Sequence, residues 1–128
     1  MKIKFEISEV FNTTPEAIYN AWLDSKLHSE MTGGGAVCSS EKDGEFTAWD
    51  GYISGKNLEL VPHKTIIQAW RTSEFEEVDE DSFLHIELIV VAGGTEIKLS
   101  HSNIPDGNSD YETGWVEHYF NPMKSFFK

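Results

Sequence analysis

The stretch Ser82-Phe83-Leu84-His85-Ile86-Glu87-Leu88-Ile89-Val90-Val91-Ala92-Gly93-Gly94-Thr95-Glu96-Ile97-Lys98-Leu99-Ser100-His101 decides the fold. Two runs rich in β-branched and apolar residues flank a glycine pair, which is the pattern of a β-hairpin. With Gly93-Gly94 as a two-residue turn, Ala92 faces Thr95, Leu88 faces Leu99 and Ile86 faces His101. Opposed residues share a face. One face then carries Leu84, Ile86, Leu88, Val90, Ile97, Leu99 and, at its rim, His101. The other carries Glu87, Glu96, Lys98 and Ser100 toward solvent. A sheet with one apolar face needs a cover.

The period-two pattern extends upstream. Strands are expected near 36–41, 44–50, 52–61, 64–72, 82–92 and 95–103, separated by the turn signals Asp43-Gly44, Asp50-Gly51 and Val61-Pro62-His63. Short turns between consecutive strands make an antiparallel meander. At the N-terminus, Lys2-Ile3-Lys4-Phe5-Glu6-Ile7 alternates as a further half-buried strand. Thr14-Pro15-Glu16 then opens a short helix: the hydroxyl caps free N–H groups, the proline has none to lose, and the acid suits the dipole. Asp24-Ser25 opens a second helix ending near Met31, and Gly33-Gly34-Gly35 stops it. The acidic run Glu74–Asp81 is expected as a solvated loop.

The cover lies downstream. Tyr111, Trp115, Tyr119, Pro122 and Phe126 fall three or four residues apart on one helical stripe, widened by Val116, Met123 and Phe127. Asn108 or Ser109 is the expected cap. Gly114 is expected to let the helix backbone approach the sheet. Pro122 removes a backbone donor and crowds the carbonyl of His118, so a kink or break is expected there. The expected fold class is α+β: an antiparallel meander covered on its apolar face by a long amphipathic C-terminal helix, with two short helices after the first strand. With 128 residues, the expectation is one domain over 1–128.

Composition narrows the functional classes. Ten basic against 22 acidic residues leave a net charge of −12, which disfavours nucleic acid and anionic membrane surfaces as partners. The single cysteine, Cys38, excludes an internal disulfide and any Cys-based zinc cage. No apolar run reaches the ~20 residues of a membrane span, and the N-terminus has no signal-peptide core, so a cytoplasmic location is expected. No cofactor is implied. Gly33-Gly34-Gly35 follows a helix and lacks the Lys-Ser/Thr of a phosphate loop. A His101–His118 metal pair has no third ligand at a recognised spacing, so no metal site is assigned. His28, His63 and His85 read as surface or turn residues.

Several segments together resemble a known family. They are Pro15-Glu16-Ala17-Ile18-Tyr19-Asn20-Ala21-Trp22, Gly51-Tyr52-Ile53-Ser54-Gly55, Leu58-Glu59-Leu60-Val61-Pro62, Ile66-Ile67-Gln68-Ala69-Trp70-Arg71, Gly94-Thr95-Glu96-Ile97-Lys98-Leu99-Ser100-His101 and Gly114-Trp115. Their order and spacing are similar to homologues of the activator of the heat shock protein 90 ATPase, within the START-like or Bet v 1-like superfamily. The resemblance runs from Phe5 to Phe126. It implies a helix-grip fold, a curved antiparallel sheet wrapped around the long C-terminal helix, and a cavity between sheet and helix that the superfamily uses for apolar molecules. Members often carry a Trp shortly after the second short helix, where Met31 is the nearest substitute here. On this basis the expected function is binding of a small apolar or amphipathic molecule. Phe46, Trp70, Leu88, Leu99, His101, Tyr111, Trp115 and Tyr119 are the expected lining, and His101 is the expected partner of the ligand's polar end. Alternatively, His101 simply satisfies backbone or a helix tyrosine. No catalytic set is assigned. The alternative functions are a module that binds a chaperone or other protein, and an enzyme of the superfamily's cyclase or hydrolase kind.

Overall fold

The structure is a computed structural model that describes residues 2–108 and 110–127. Its strands are β1 (Lys2–Phe11), β2 (Glu45–Ala48), β3 (Ile53–Val61), β4 (Thr65–Thr72), β5 (Ser82–Val91) and β6 (Gly94–Pro105). Helices α1 (Pro15–Leu23) and α2 (Ser25–Thr32) follow β1. The C-terminal helix runs as α3 (Tyr111–Trp115), a π-helical stretch (Val116–Phe120) and α4 (Asn121–Phe126). All neighbouring strands are antiparallel, in the order β1-β6-β5-β4-β3-β2. The inner face of β5 and β6 shares one hydrophobic core with Trp22, Tyr111, Trp115, Tyr119 and Met123 of the helices. This is the expected α+β helix-grip fold.

Both short helices start as the sequence indicates. Thr14 Oγ1 accepts from Ala17 N–H at 3.1 Å, with Pro15 in the first turn. Asp24 accepts from Leu27 N–H at 2.8 Å, and Gly33, at φ 89°, closes α2 in the left-handed conformation that glycine adopts without strain.

The hairpin register slips by two residues from the expected one. Val91 pairs with Gly94, Ile86 with Leu99 and Leu84 with His101, so the turn is Ala92-Gly93. A Cβ on Gly94 would lie 1.9 Å from the Phe11 carbonyl oxygen, so this glycine serves the close approach of β1 and belongs to the strand. A slip of two preserves which face each residue occupies. Leu84, Ile86, Leu88, Ile97, Leu99 and His101 are accordingly buried, whereas Val90, near the hairpin tip, is 73% exposed.

Four other expectations change. Residues 36–41 form no strand; their contact with the sheet is one bridge between Val37 and Thr47. Side chains take the place of a ladder there. Ser25 Oγ accepts from Cys38 N–H at 2.8 Å, and Asn57 Nδ2 donates to the carbonyls of Ser39 and Glu41. The acidic loop is solvated but anchored. Phe75 is buried, and Arg71 holds Asp81 at 2.6 Å and bonds the Asp79 carbonyl. The C-terminal helix does not break at Pro122. Asn121 N–H instead reaches back five residues to the Val116 carbonyl. This wide turn accommodates the missing donor and bulky ring of Pro122. It also advances the buried stripe by one residue: Met123 replaces Pro122 in the core, and Phe126 turns outward, 38% exposed. Asp110 caps α3 through Thr113 N–H in place of Asn108. Ser109, the other expected cap, lies outside the described residues.

Candidate functional site

A cleft of about 580 Å³ opens between the C-terminal helix and the β2–β4 edge of the sheet. Trp49 and Tyr52 of the β2–β3 turn, Ile53 at the start of β3, and Trp70 of β4 form one wall. The helix supplies the other with Tyr111, Gly114, Trp115, His118 and Tyr119, while Asp110, Thr113 and Glu117 stand around it.

Local backbone explains the opening. Trp49 and Asp50 adopt left-handed φ of 50° and 59° before Gly51 at 92°. This abrupt turn ends β2 at Ala48 and throws the Trp49 ring toward α2 and the helix. The ring lies against Gly34, where a Cβ would come within 2.4 Å of it, and meets His118 edge-on at 5.6 Å. Trp49 Nε1 is buried without a hydrogen-bond partner among the described residues. Gly114 does not approach the sheet as expected. A Cβ there would meet nothing within 4 Å, so this glycine leaves space in the cleft.

Two buried polar chains hold the wall from behind. Trp115 Nε1–H donates to His101 Nδ1 at 3.0 Å. His101 Nε2 lies 2.8 Å from Ser82 Oγ, whose own proton goes to the Trp70 carbonyl at 2.8 Å. Ser82 has one proton to give, so Nε2 carries the hydrogen and His101 is neutral. Burial pushes its pKa down to about 3. In the second chain, His28 Nδ1–H donates to the Trp22 carbonyl at 2.8 Å and Nε2 accepts from Tyr119 O–H at 2.8 Å. Burial lowers the His28 pKa against the opposing pull of the Trp22 carbonyl. Burial also raises the Tyr119 hydroxyl well above its ordinary range.

The open end of the cleft is polar. Tyr52 and Tyr111 both donate to the Glu74 carboxylate, the latter at 3.4 Å, and Tyr111 Oη lies 2.6 Å from Thr72 Oγ1. Burial, followed by the bond to Glu74, raises the Tyr52 pKa. Burial likewise raises that of Tyr111, opposed by the bond to Thr72. Both hydroxyls stay protonated.

Of the eight residues expected to line a site, the cleft brings together Trp70, Tyr111, Trp115 and Tyr119. Phe46, Leu88, Leu99 and His101 lie in the core instead. His101, the expected partner of a ligand's polar end, is fully buried and bonded at both ring nitrogens to Ser82 and Trp115. It also has no free nitrogen for a metal shared with His118, which is exposed at the rim. His28, expected at the surface, is 3% exposed; its spacing of three from the buried Met31 is the signal that places it inward. The contribution of Trp49 was hidden because Trp49-Asp50 reads as strand when its left-handed turn is not anticipated. Cys38 is half-buried, and burial, reinforced by Asp24, raises its thiol pKa to about 11, which suits packing and not nucleophilic attack.

A family described as activator of Hsp90 ATPase homolog 1-like protein matches residues 12–128. The chain belongs to this family. It is 31% identical over 127 residues to the human activator of 90 kDa heat shock protein ATPase homolog 1, covering 97% of this chain and 37% of that protein. It is 26% identical over 127 residues to the mouse activator homolog 2, covering 98% of this chain and 38% of that protein. The chain thus spans little more than a third of the length of these relatives. The crystal structure of an Hsp90 activator from Plasmodium falciparum superposes with a TM-score of 0.87 at 26% identity, covering 97% of this chain and 95% of that one. A Chromobacterium violaceum protein shares the fold at a TM-score of 0.78 and 21% identity, with 97% and 96% of the two chains covered.

Proposed function

We propose that residues 1–128 form one START-like unit that works in the cytoplasm as a binding module for an Hsp90-type chaperone. The observation that carries this reading is the 31% identity to the human activator across nearly the whole of this chain. The site chemistry supports binding over catalysis. Each buried histidine is bonded at both nitrogens, so neither offers a free base to a substrate. A net charge of −12 suits a basic partner face and argues against nucleic acid. The test is calorimetric titration with the Hsp90-type chaperone of the same organism, alongside its ATPase rate. Binding that weakens with added salt is the expected result. No binding at low salt and high protein concentration overturns the proposal.

A second reading is favoured by the cleft: it holds a small amphipathic molecule against Trp70, Tyr111, Trp115 and Tyr119. A volume of about 580 Å³ falls in the range of small-molecule sites, and the walls are mostly aromatic.

A further inference from the structure

Resting on the second reading, we infer that the cleft is selective for an organic cation: an apolar body ending in a protonated amine. The walls present the rings of Trp49, Tyr52, Trp70, Tyr111, Trp115 and Tyr119. The face of an aromatic ring carries negative electrostatic potential and attracts ammonium groups. The charged residues lining the cleft are Asp110 and Glu117, with neither Lys nor Arg among the described lining residues. A third carboxylate, Glu74, sits behind the hydroxyls of Tyr52 and Tyr111. Asp110 is held ionised by the Thr113 backbone N–H, which it caps, so it also satisfies a donor at the start of α3 that an anionic ligand would otherwise meet.

The features on the other side of the balance are few. His118 is one exposed imidazole in the wall, whose N–H an alcohol or carboxylate oxygen would meet, while the unpartnered Trp49 Nε1 is buried. The histidines of the two buried chains give the cleft nothing, because their nitrogens are used behind the wall. The two lining carboxylates, Asp110 and Glu117, and the six aromatic residues of the walls outweigh this one imidazole. An amine on a short aliphatic stem reaches the rim carboxylates while its apolar body lies among the rings.

The experiment compares three probes of matched shape: 4-phenylbutylamine, 4-phenylbutan-1-ol and 4-phenylbutyrate. Binding to the full chain is read from tryptophan fluorescence and from the indole N–H resonances of Trp49 and Trp115, at about pH 8. The amine is expected to bind on the order of tenfold tighter than the alcohol, with the butyrate weakest. Added salt should weaken the amine and leave the alcohol unchanged. The double variant Asp110→Asn, Glu117→Gln should lower amine affinity several-fold and leave alcohol affinity alone. Gly114→Leu, which builds side chain into open space, should abolish binding of all three without lowering the melting temperature. Equal or tighter binding of the alcohol or butyrate overturns the charge selectivity and leaves the cleft reading standing. Amine affinity unchanged in the double variant also overturns it. If no probe perturbs the cleft tryptophans, both the selectivity and the cleft reading fail.

Discussion

Acid should destabilise this domain through His101, by an amount the structure sets. The ring is fully buried, and its Nδ1 accepts from Trp115 while Nε2–H points to Ser82. A second proton would have to sit on Nδ1, facing the Trp115 N–H. The folded-state pKa near 3 lies below the ordinary value of 6.5. Between those values the unfolded chain binds a proton that the folded chain refuses, so stability falls as pH falls below 6.5. One such group contributes a slope of about 1.4 kcal/mol per pH unit. From pH 7 to 5 this amounts to about 2 kcal/mol, and His28 adds a loss of the same sign. Loss of negative charge works in the opposite direction, because it relieves the self-repulsion of a −12 chain. The variant His101→Gln separates the two effects. It keeps a donor and an acceptor, cannot titrate, and carries the same surface charge. Urea denaturation of both proteins at pH 7 and pH 5 gives the double difference. Wild type should lose about 2 kcal/mol more than the variant over this interval. A double difference within about 0.5 kcal/mol of zero would refute the reasoning. So would a His101 ring resonance that titrates near pH 6.

Three other outcomes follow from the packing. Trp115→Ala should cost about 3–5 kcal/mol in chemical denaturation, since it removes a buried indole and leaves His101 Nδ1 without its donor. Gly114→Ala should raise stability by about 0.5–1 kcal/mol in the same assay, because the added methyl meets nothing and glycine is a poor helix former. Replacing the exposed Glu76, Glu77 and Glu80 with Ser should change the melting temperature little, whereas Phe75→Ala should cost about 3 kcal/mol by emptying the loop's anchor in the core.

Much of the fold was legible because facing is robust to small errors of register. The β5–β6 hairpin slipped by two, yet every inner residue from Leu84 to His101 kept its side. The helix caps were equally plain, since Thr14 and Asp24 act within four residues of themselves. Features that depend on distant partners were not legible. Nothing near Val37 in the sequence shows that Ser25 and Asn57 will satisfy the segment's backbone and replace a strand. Pro122 announced a disturbance, but a kink, a break and a widened turn all answer its missing donor. Packing selected the widened turn, which brings Phe120 and Met123 into the core. For the site, the aromatic stripe was legible as a wall. The turn at Trp49 that supplies the opposite wall was not, because positive φ at a tryptophan carries no sequence signature.

The buried histidines explain why the polar groups of the cleft stand at its rim and not in its aromatic wall. Trp115 and Tyr119 each have one polar atom, and each spends it inward, on His101 and His28 respectively. What they turn toward the cleft is ring surface. Bonding to His101 of β6 and His28 of α2 holds the two rings in place, so the wall is preorganised. It also strips the wall of directional donors and acceptors. The polar groups left at the mouth are Asp110, Glu117 and His118, with Glu74 behind Tyr52 and Tyr111. The sequence left two roles open for His101, a ligand's polar end or an internal bond to backbone or a helix tyrosine; its internal partners are Trp115 and Ser82. In this fold the histidine serves the tryptophan, and the tryptophan serves the cleft.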